Sequence, residues 1–465
     1  MTEGDKKQKS IQNSTLMVVV VTNFTTLFAI TSLNIAVPQI GLEFHASATS
    51  LTWVVISFIF VVALLPIPFG KIADIYGRAL IYKLGMLLFC ISSFFNIFAA
   101  NMPVFLLLRV LQGIGAALIF ATSIAVLAEV FPANKRGSVI GLSSTAVFLG
   151  QACGPSIGGI ITRFFGWRAL FVIISALNLY SLITAIVRLP KSSGSKTISR
   201  PNPSNMFLHI VSLGLFLFGL VTLSQRLWPV IIFAAGCVLL VIYVKYELRS
   251  DAPVIEMRLF SGNRVFGLSS LAALLNYAAI FAVSYLLSIY LQLVKGLGAD
   301  LAGYIMISQP IVQTILAPIA GRLADRKQPA TIACIGLACS AGALFMFSLL
   351  NEQAPIPYIL AGTVLTGLGI GLFVSPNSAM IMGSVSKEDY GVAASVVSTA
   401  RGIGQVIGMA MLTIITNATI GDVPIAEVSP ALIVNNMHIS FLIFSGICVA
   451  AIFISLKRRE TILGQ

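Results

Sequence analysis

Few residues in this chain could do chemistry, and their positions narrow what it could be. The run Arg109 to Ala117, RVLQGIGAA, puts an arginine inside an apolar stretch. A charged side chain in hydrocarbon costs about 2.5–3.5 kcal/mol and needs a partner or a water-filled cavity, so it is read as functional. Gln112 follows at i+3 on the same helical face. Gly113, Ala116 and Ala117 let another helix approach closely. Arg401 and Gln405 form a similar i, i+4 pair in a second apolar stretch. The run Gly70 to Arg78, GKIADIYGR, joins two apolar stretches. Gly70 and Gly77 permit close packing and a tight turn, and Asp74 can pair with Arg78 or sit near a helix N-terminus. In the run Gly150 to Gly159, GQACGPSIGG, residues Gly150, Gly154 and Gly158 fall on one helix face. That makes a flat groove for a partner helix, with Pro155 able to bend the helix.

The remaining polar groups exclude several classes of function. All 16 carboxylates fall in termini, loops or the ends of apolar stretches. Pumps for cationic compounds use a buried carboxylate, so a neutral or weakly acidic substrate is expected. Proton coupling would then fall to Asp74, Asp325, Glu129 or an arginine-linked network. His45, His209 and His438 are too scattered for a metal site, and the six cysteines form no CxxC pair. There is no nucleophile–base pair or phosphate-binding loop, and Gly113-x-Gly115 lies within a spanning helix, where a nucleotide reading fails. Neither an enzyme nor a cofactor nor a metal is expected.

The elements that must position these residues are membrane spans. Of the 465 residues, 57% are hydrophobic and only 10% charged, with mean hydropathy +0.97. A soluble domain carries about 25% charged residues. Fourteen apolar stretches of spanning length can be counted. The net charge of +13 is explained by topology rather than by nucleic acid. With the N-terminus in the cytoplasm, 23 of the 29 Lys and Arg fall in cytoplasmic segments and four on the other side. That asymmetry places both termini in the cytoplasm.

Two polar linkers, Leu189 to Asn205 and Glu247 to Arg264, bracket the seventh and eighth stretches. They divide the chain into 1–190, a first six-helix bundle; 191–265, linkers and two central helices; and 266–465, a second six-helix bundle. An internal repeat supports this plan. Gly70-Lys71-Ile72-Ala73-Asp74 recurs as Gly321-Arg322-Leu323-Ala324-Asp325, and Gln112-Gly113-Ile114-Gly115 as Thr366-Gly367-Leu368-Gly369. Parallel repeats of this kind place a substrate site at their interface near the midplane. Polar stripes at helical spacing nominate its lining: Asn23 and Asn34; Gln151; Tyr277, Phe281, Ser284, Ser288 and Gln292; and Gln309 and Gln313.

The three motifs together resemble the major facilitator superfamily. GKIADIYGR is similar to its signature cytoplasmic loop, RVLQGIGAA to its fourth-helix motif, and GQACGPSIGG to the fifth-helix motif of its antiporters. Fourteen spans point to the drug:proton antiporter branch of the EmrB/QacA type. The resemblance implies an all-α integral membrane fold of two six-helix bundles plus two extra central helices. It also implies alternating access and a monomer in the cell membrane. The first-helix motif is matched at Thr31, Asn34, Ala36 and Pro38, but Ala29 stands where the family has an acid.

These features imply a secondary transporter with gating residues Gly70, Asp74, Gly77, Arg78, Gly321 and Asp325. Arg109, Gln112, Arg401 and Gln405 are expected at coupling or substrate sites. Proton-coupled efflux of hydrophobic or planar drug-like compounds is one expectation. Import or facilitated movement of a riboflavin-like vitamin is the other.

Overall fold

The computed structural model describes residues 3–190, 203–223, 227–250, 253, 260, 262–326, 328–385 and 390–463. Most of both polar linkers and the Asp325 side chain lie outside the described residues. Among the described residues the long elements are all α-helices. They are α1 Glu3–Glu43, α2 Ala48–Leu64, α3 Pro66–Tyr76, α4 Arg78–Asn96, α5 Met102–Val130, α6 Ala133–Phe165, α7 Arg168–Arg188, α8 Pro203–Thr222 and α9 Leu227–Glu247. After the second linker come α10 Arg264–Ile289, α11 Ala299–Met306, α12 Ser308–Arg326, α13 Pro329–Ser348, α14 Ile356–Gly383, α15 Tyr390–Thr419 and α16 Pro430–Leu463.

Helix starts follow local chemistry. Ser47 accepts from the Ser50 amide at α2, Asn101 from Val104 at α5, and Asn263 from Phe266 at α10, each satisfying an amide with no intrahelical partner. Pro66 and Pro68 lack amide hydrogens, and the chain breaks between α2 and α3 with a bend of 49°. Pro155, by contrast, lies within α6, which runs unbroken from Ala133 to Phe165.

Among the described residues, twelve helices are long and apolar enough to cross a membrane, thirteen when the bent pair α2–α3 counts as one span. That is fewer than the fourteen expected. The 33-residue α6 is not among them, because its glycines and hydroxyls dilute its apolar content.

Helices α1 to α7 pack on one another, as do α10 to α16. Helix α8 lies against α15 and α2, while α9 packs on α8 and leaves Ile231, Val238 and Val241 exposed. The repeat seen in the sequence is a repeat of contacts. A Cβ on Gly115 would stand 2.6 Å from the Phe89 nitrogen, and one on Gly369 would stand 2.7 Å from the Ser340 nitrogen. A Cβ on Gly113 would meet the Phe58 carbonyl at 2.8 Å, and one on Gly367 the Gln309 carbonyl at 2.5 Å. In each bundle, glycine brings two backbones to a separation that no side chain allows.

Candidate functional site

Arg109 is buried between α2, α4 and α5, with 2% of its surface exposed. Its guanidinium donates to the Gln112 Oε1 and, at 3.4 Å, to the Val54 carbonyl. Gln112 passes the chain on to Ser93 Oγ at 2.8 Å. The Phe58 ring lies 4.5 Å from the guanidinium carbon, a cation–π contact. These partners are neutral: carbonyls, an amide and a ring satisfy the donors while the positive charge stays uncompensated by a contacting carboxylate among the described residues. The sequence requires either a partner or a water-filled cavity for Arg109; the structure gives it partners inside the first bundle.

The GKIADIYGR loop forms an ionic corner. Arg78 Nε meets Asp74 Oδ1 at 2.8 Å, and its Nη1 lies 3.5 Å from Glu129 Oε1 at the end of α5. All three belong to the first bundle. Gly77, at φ +104°, makes the turn between α3 and α4 that brings Asp74 and Arg78 together. A Cβ on Gly70 would meet nothing within 4 Å, and one on Gly321 only Ser375 at 3.9 Å. Close packing therefore does not explain either glycine in this conformation.

The α6 groove takes a helix, and that helix is α1. A Cβ on Gly154 would stand 2.7 Å from Thr31 Cβ and one on Gly158 2.6 Å from Ser32 Cβ, while Gly150 abuts the Phe24 backbone. The three glycines thus pack within one bundle, not between bundles. Contact across the seam comes from the next face of α6. There Pro155 backs onto Gly303, and Gly159 onto Ala299 and Asp300.

One face of the seam is sealed, the face away from the chain termini. The loop before α16 pairs with the loop before α2 as an antiparallel bridge between Ser47 and Pro424. The Ala48 amide donates to the Val423 carbonyl and the Ile425 amide to the Ala46 carbonyl, each at 3.0 Å. Thr49 donates to the Gly421 carbonyl at 3.3 Å, and Gln292 donates to the Ile35 carbonyl at 2.9 Å. Deeper in, Thr413 donates to Thr52 at 2.8 Å. Further along α2, the Cβ position of Gly402 stands 2.9 Å from the Ala63 Cα.

Beside Gly402, Arg401 is exposed, with its guanidinium carbon 5.2 Å from the centre of the Tyr277 ring. Tyr277, Phe281, Ser284, Gln405 and Gln151 are partly exposed. Other nominated lining residues are used in packing. Asn23 donates to Ser143 at 2.8 Å, Gln292 bridges the sealed face, and Asn34, Gln309 and Gln313 are buried. Asn34 Oδ1 and Gln313 Oε1 have no hydrogen-bond partner among the described residues. Ala29 sits in the apolar core, so the place of the family's acid is dry.

Two groups escape a reading of the sequence. Glu43 binds Arg168 at 2.5 Å and accepts from Trp167 Nε1 at 2.7 Å. Arg168 also donates to the Ile97 and Ala99 carbonyls, both at 3.1 Å, tying the ends of α1, α4 and α7. Single charges at the two span ends were the available signal. The second group is Glu247, which is only 2% exposed although it lies at a helix end.

Two packed helix bundles, repeated in sequence and in contact, with a seam closed at one face, define a multi-pass membrane transporter rather than an enzyme. The family model of the Major Facilitator Superfamily matches residues 19–350 and again 269–462, and the chain belongs to that superfamily. It is 30% identical over 391 residues to the riboflavin transporter RibZ of Clostridioides difficile, covering 82% of this chain and 83% of that one. It is 27% identical to the multidrug resistance protein Stp of Mycobacterium tuberculosis, covering 82% of this chain and 71% of Stp. Its fold is similar to a bacterial homologue of the human lysosomal transporter Spinster, solved inward-facing and unoccupied. The TM-score is 0.73 at 16% identity, over 100% of this chain and 99% of that one.

Proposed function

We propose that this transporter carries planar, neutral or weakly acidic heterocycles across the cell membrane, with proton-driven export as its direction. The observation that carries the reading is the exposed Arg401 over the Tyr277 ring beside the seam. A fixed cation against an aromatic face offers a flat wall for an electron-rich ring system. The same charge, with Arg109 behind the opposite wall, repels cations. In this reading α6 is a fourteenth span, which gives the EmrB/QacA layout with α8 and α9 as the extra pair. The basic loops put the termini in the cytoplasm, so the sealed face is external and the site opens inward. The protein acts as a monomer. The name of the Mycobacterium tuberculosis relative supports export.

One observation favours a second reading, import of a riboflavin-like nutrient: the relative from Clostridioides difficile is a riboflavin transporter. The test is transport by purified protein in liposomes under an imposed pH gradient, with riboflavin and neutral fluorescent dyes as cargo. Export predicts dye movement against its gradient, abolished by a protonophore. Riboflavin equilibration indifferent to the pH gradient would overturn proton-driven export and leave a facilitator. Arg401→Gln is expected to lower apparent affinity at least ~10-fold, the size of one lost charged contact of about 1.4 kcal/mol.

A further inference from the structure

The two central helices carry a buried polar column that the motifs do not include. Asn205, His209, Tyr243 and Glu247 are each no more than 2% exposed. Glu247 Oε1 accepts from the Tyr243 hydroxyl and Oε2 from Asn205 Nδ2, both at 3.0 Å. Asn205 also donates to Ser250 at 3.1 Å, at the face where the termini lie. One helical turn deeper, the His209 ring meets the Tyr243 ring edge-on at 5.3 Å. Neither His209 nitrogen makes a hydrogen bond that meets full geometry, although the imidazole lies against the Leu64 backbone.

Leu64 is the last residue of α2. Its carbonyl would accept the amide of residue 68, and residue 68 is proline. A buried ring therefore sets one nitrogen against a carbonyl that the helix break leaves short of a donor, and its other nitrogen is left over. Neutral imidazole has one donor and one acceptor, whereas imidazolium has two donors. Buried ionisable groups within membrane helices mark ion and proton pathways.

We infer that His209, backed by Tyr243 and Glu247, is a proton-binding site that controls the break between α2 and α3. The neutral ring's one N–H serves the Leu64 carbonyl; the added proton goes to the other nitrogen, and the charge on the ring strengthens the bond to Leu64. The proton enters and leaves through water at the face of Asn205 and Ser250. Glu247 supplies the compensating charge, so the column moves from one negative charge to neutrality. From α9 the ionisable groups facing the site are Tyr243 and Glu247. Helix α2 offers only backbone, since residues 48–64 include no ionisable side chain. From α15 the nearby charge is Arg401, whose guanidinium is turned to Tyr277 on α10. Because α2 meets α15 at Ala63 and Gly402, protonation acts one residue from a close contact across the seam. This assigns proton coupling to the central pair rather than to Asp74, Asp325 or Glu129, and it deepens the proton-driven reading of the transporter.

The test uses the full chain in lipid nanodiscs with isotope-labelled histidine. The chain has three histidines, and the His209 signal is the one lost in His209→Gln. That signal is expected to change protonation state as the pH is lowered from about 8 to about 4, and the change is expected to move to lower pH in Glu247→Gln. In liposomes, His209→Gln and His209→Asn should keep substrate exchange within about twofold of wild type. Gradient-driven accumulation should fall at least ~10-fold in both. A His209 signal unchanged across that range, or full gradient-driven accumulation by a folded His209→Gln protein, overturns the inference. If wild-type protein accumulates no heterocycle under any gradient, the transport reading fails, and the histidine signal still decides the proton site.

Discussion

Arg109 in the first bundle and Thr363 in the second occupy equivalent places in the repeat, as do Gln112 and Thr366. The glycines around them make the same backbone contacts in both bundles. Their chemistry differs. Arg109 and Gln112 form a charged chain to Ser93. Thr363 meets Ser308 at 2.7 Å, and Thr366 returns its hydroxyl to the Gly362 carbonyl at 2.8 Å. The second bundle thus reaches the same packing without the charge. A buried arginine is therefore not a requirement of this arrangement of helices, as the second bundle has Thr363 in its place.

Four experiments would break or sharpen that contrast. Gly115→Leu and Gly369→Leu should each abolish the folded state, because overpacking costs about 1–3 kcal/mol and more where backbone must move. Thermal unfolding in detergent checks this, and a large effect in one bundle alone would end the equivalence. Next, Ser47→Cys with Pro424→Cys, in a background with the six native cysteines replaced, should arrest transport when oxidised and restore it when reduced. An antiparallel pair sets Cα atoms about 4.5–5.5 Å apart, within disulfide range. Transport by the oxidised form would show that the bridge need not open. Third, Arg109→Thr with Gln112→Thr copies the second bundle into the first. It should melt near wild type yet transport at least ~100-fold more slowly, as expected for a charge kept in hydrocarbon for function. Retained transport would mean that the charge is dispensable. The smallest effect belongs to Arg78→Gln. The Asp74–Arg78–Glu129 corner is about one-third exposed, so after solvent screening its stability loss should be about 0.5 kcal/mol. A several-fold slower opening rate, read by stopped-flow fluorescence, would separate gating from stability.

The sequence made legible what depends on local spacing. The glycine faces of α5 and α6 and the Asp74–Arg78 pair follow from residues about two helical turns or less apart, and the repeat from matching such short runs between the two halves of the chain. Contacts between distant segments were not readable. Glu247 looks like a loop acid until Asn205, 42 residues away, is brought onto it. Asn23 looks like cavity lining until Ser143 takes its amide. The break at Leu65 is hidden in the sequence because Pro66 and Pro68 lie in a stretch that is uniformly apolar. Pro155 suggests a bend, and α6 absorbs it. Helix α6 falls outside the hydropathy count although it is 33 residues long: a helix that packs through glycine carries less apolar surface than one that faces lipid.

The closed face of the seam rests on main-chain groups of residues 46–48 and 423–425. Amides and carbonyls are common to almost every residue type. These hydrogen bonds therefore survive a change of residue type, provided the loops keep their length and extended shape, although Ser47 also caps α2 and Ala46, Ala48 and Ile425 are buried. Relatives could share this closure while sharing no side chain at these positions, and an alignment ranked by residue identity would score the closure as drift. An insertion or deletion in the 420–429 loop is the change to which it is vulnerable, since moving the register by one residue would misalign donors and acceptors across both bundles at once.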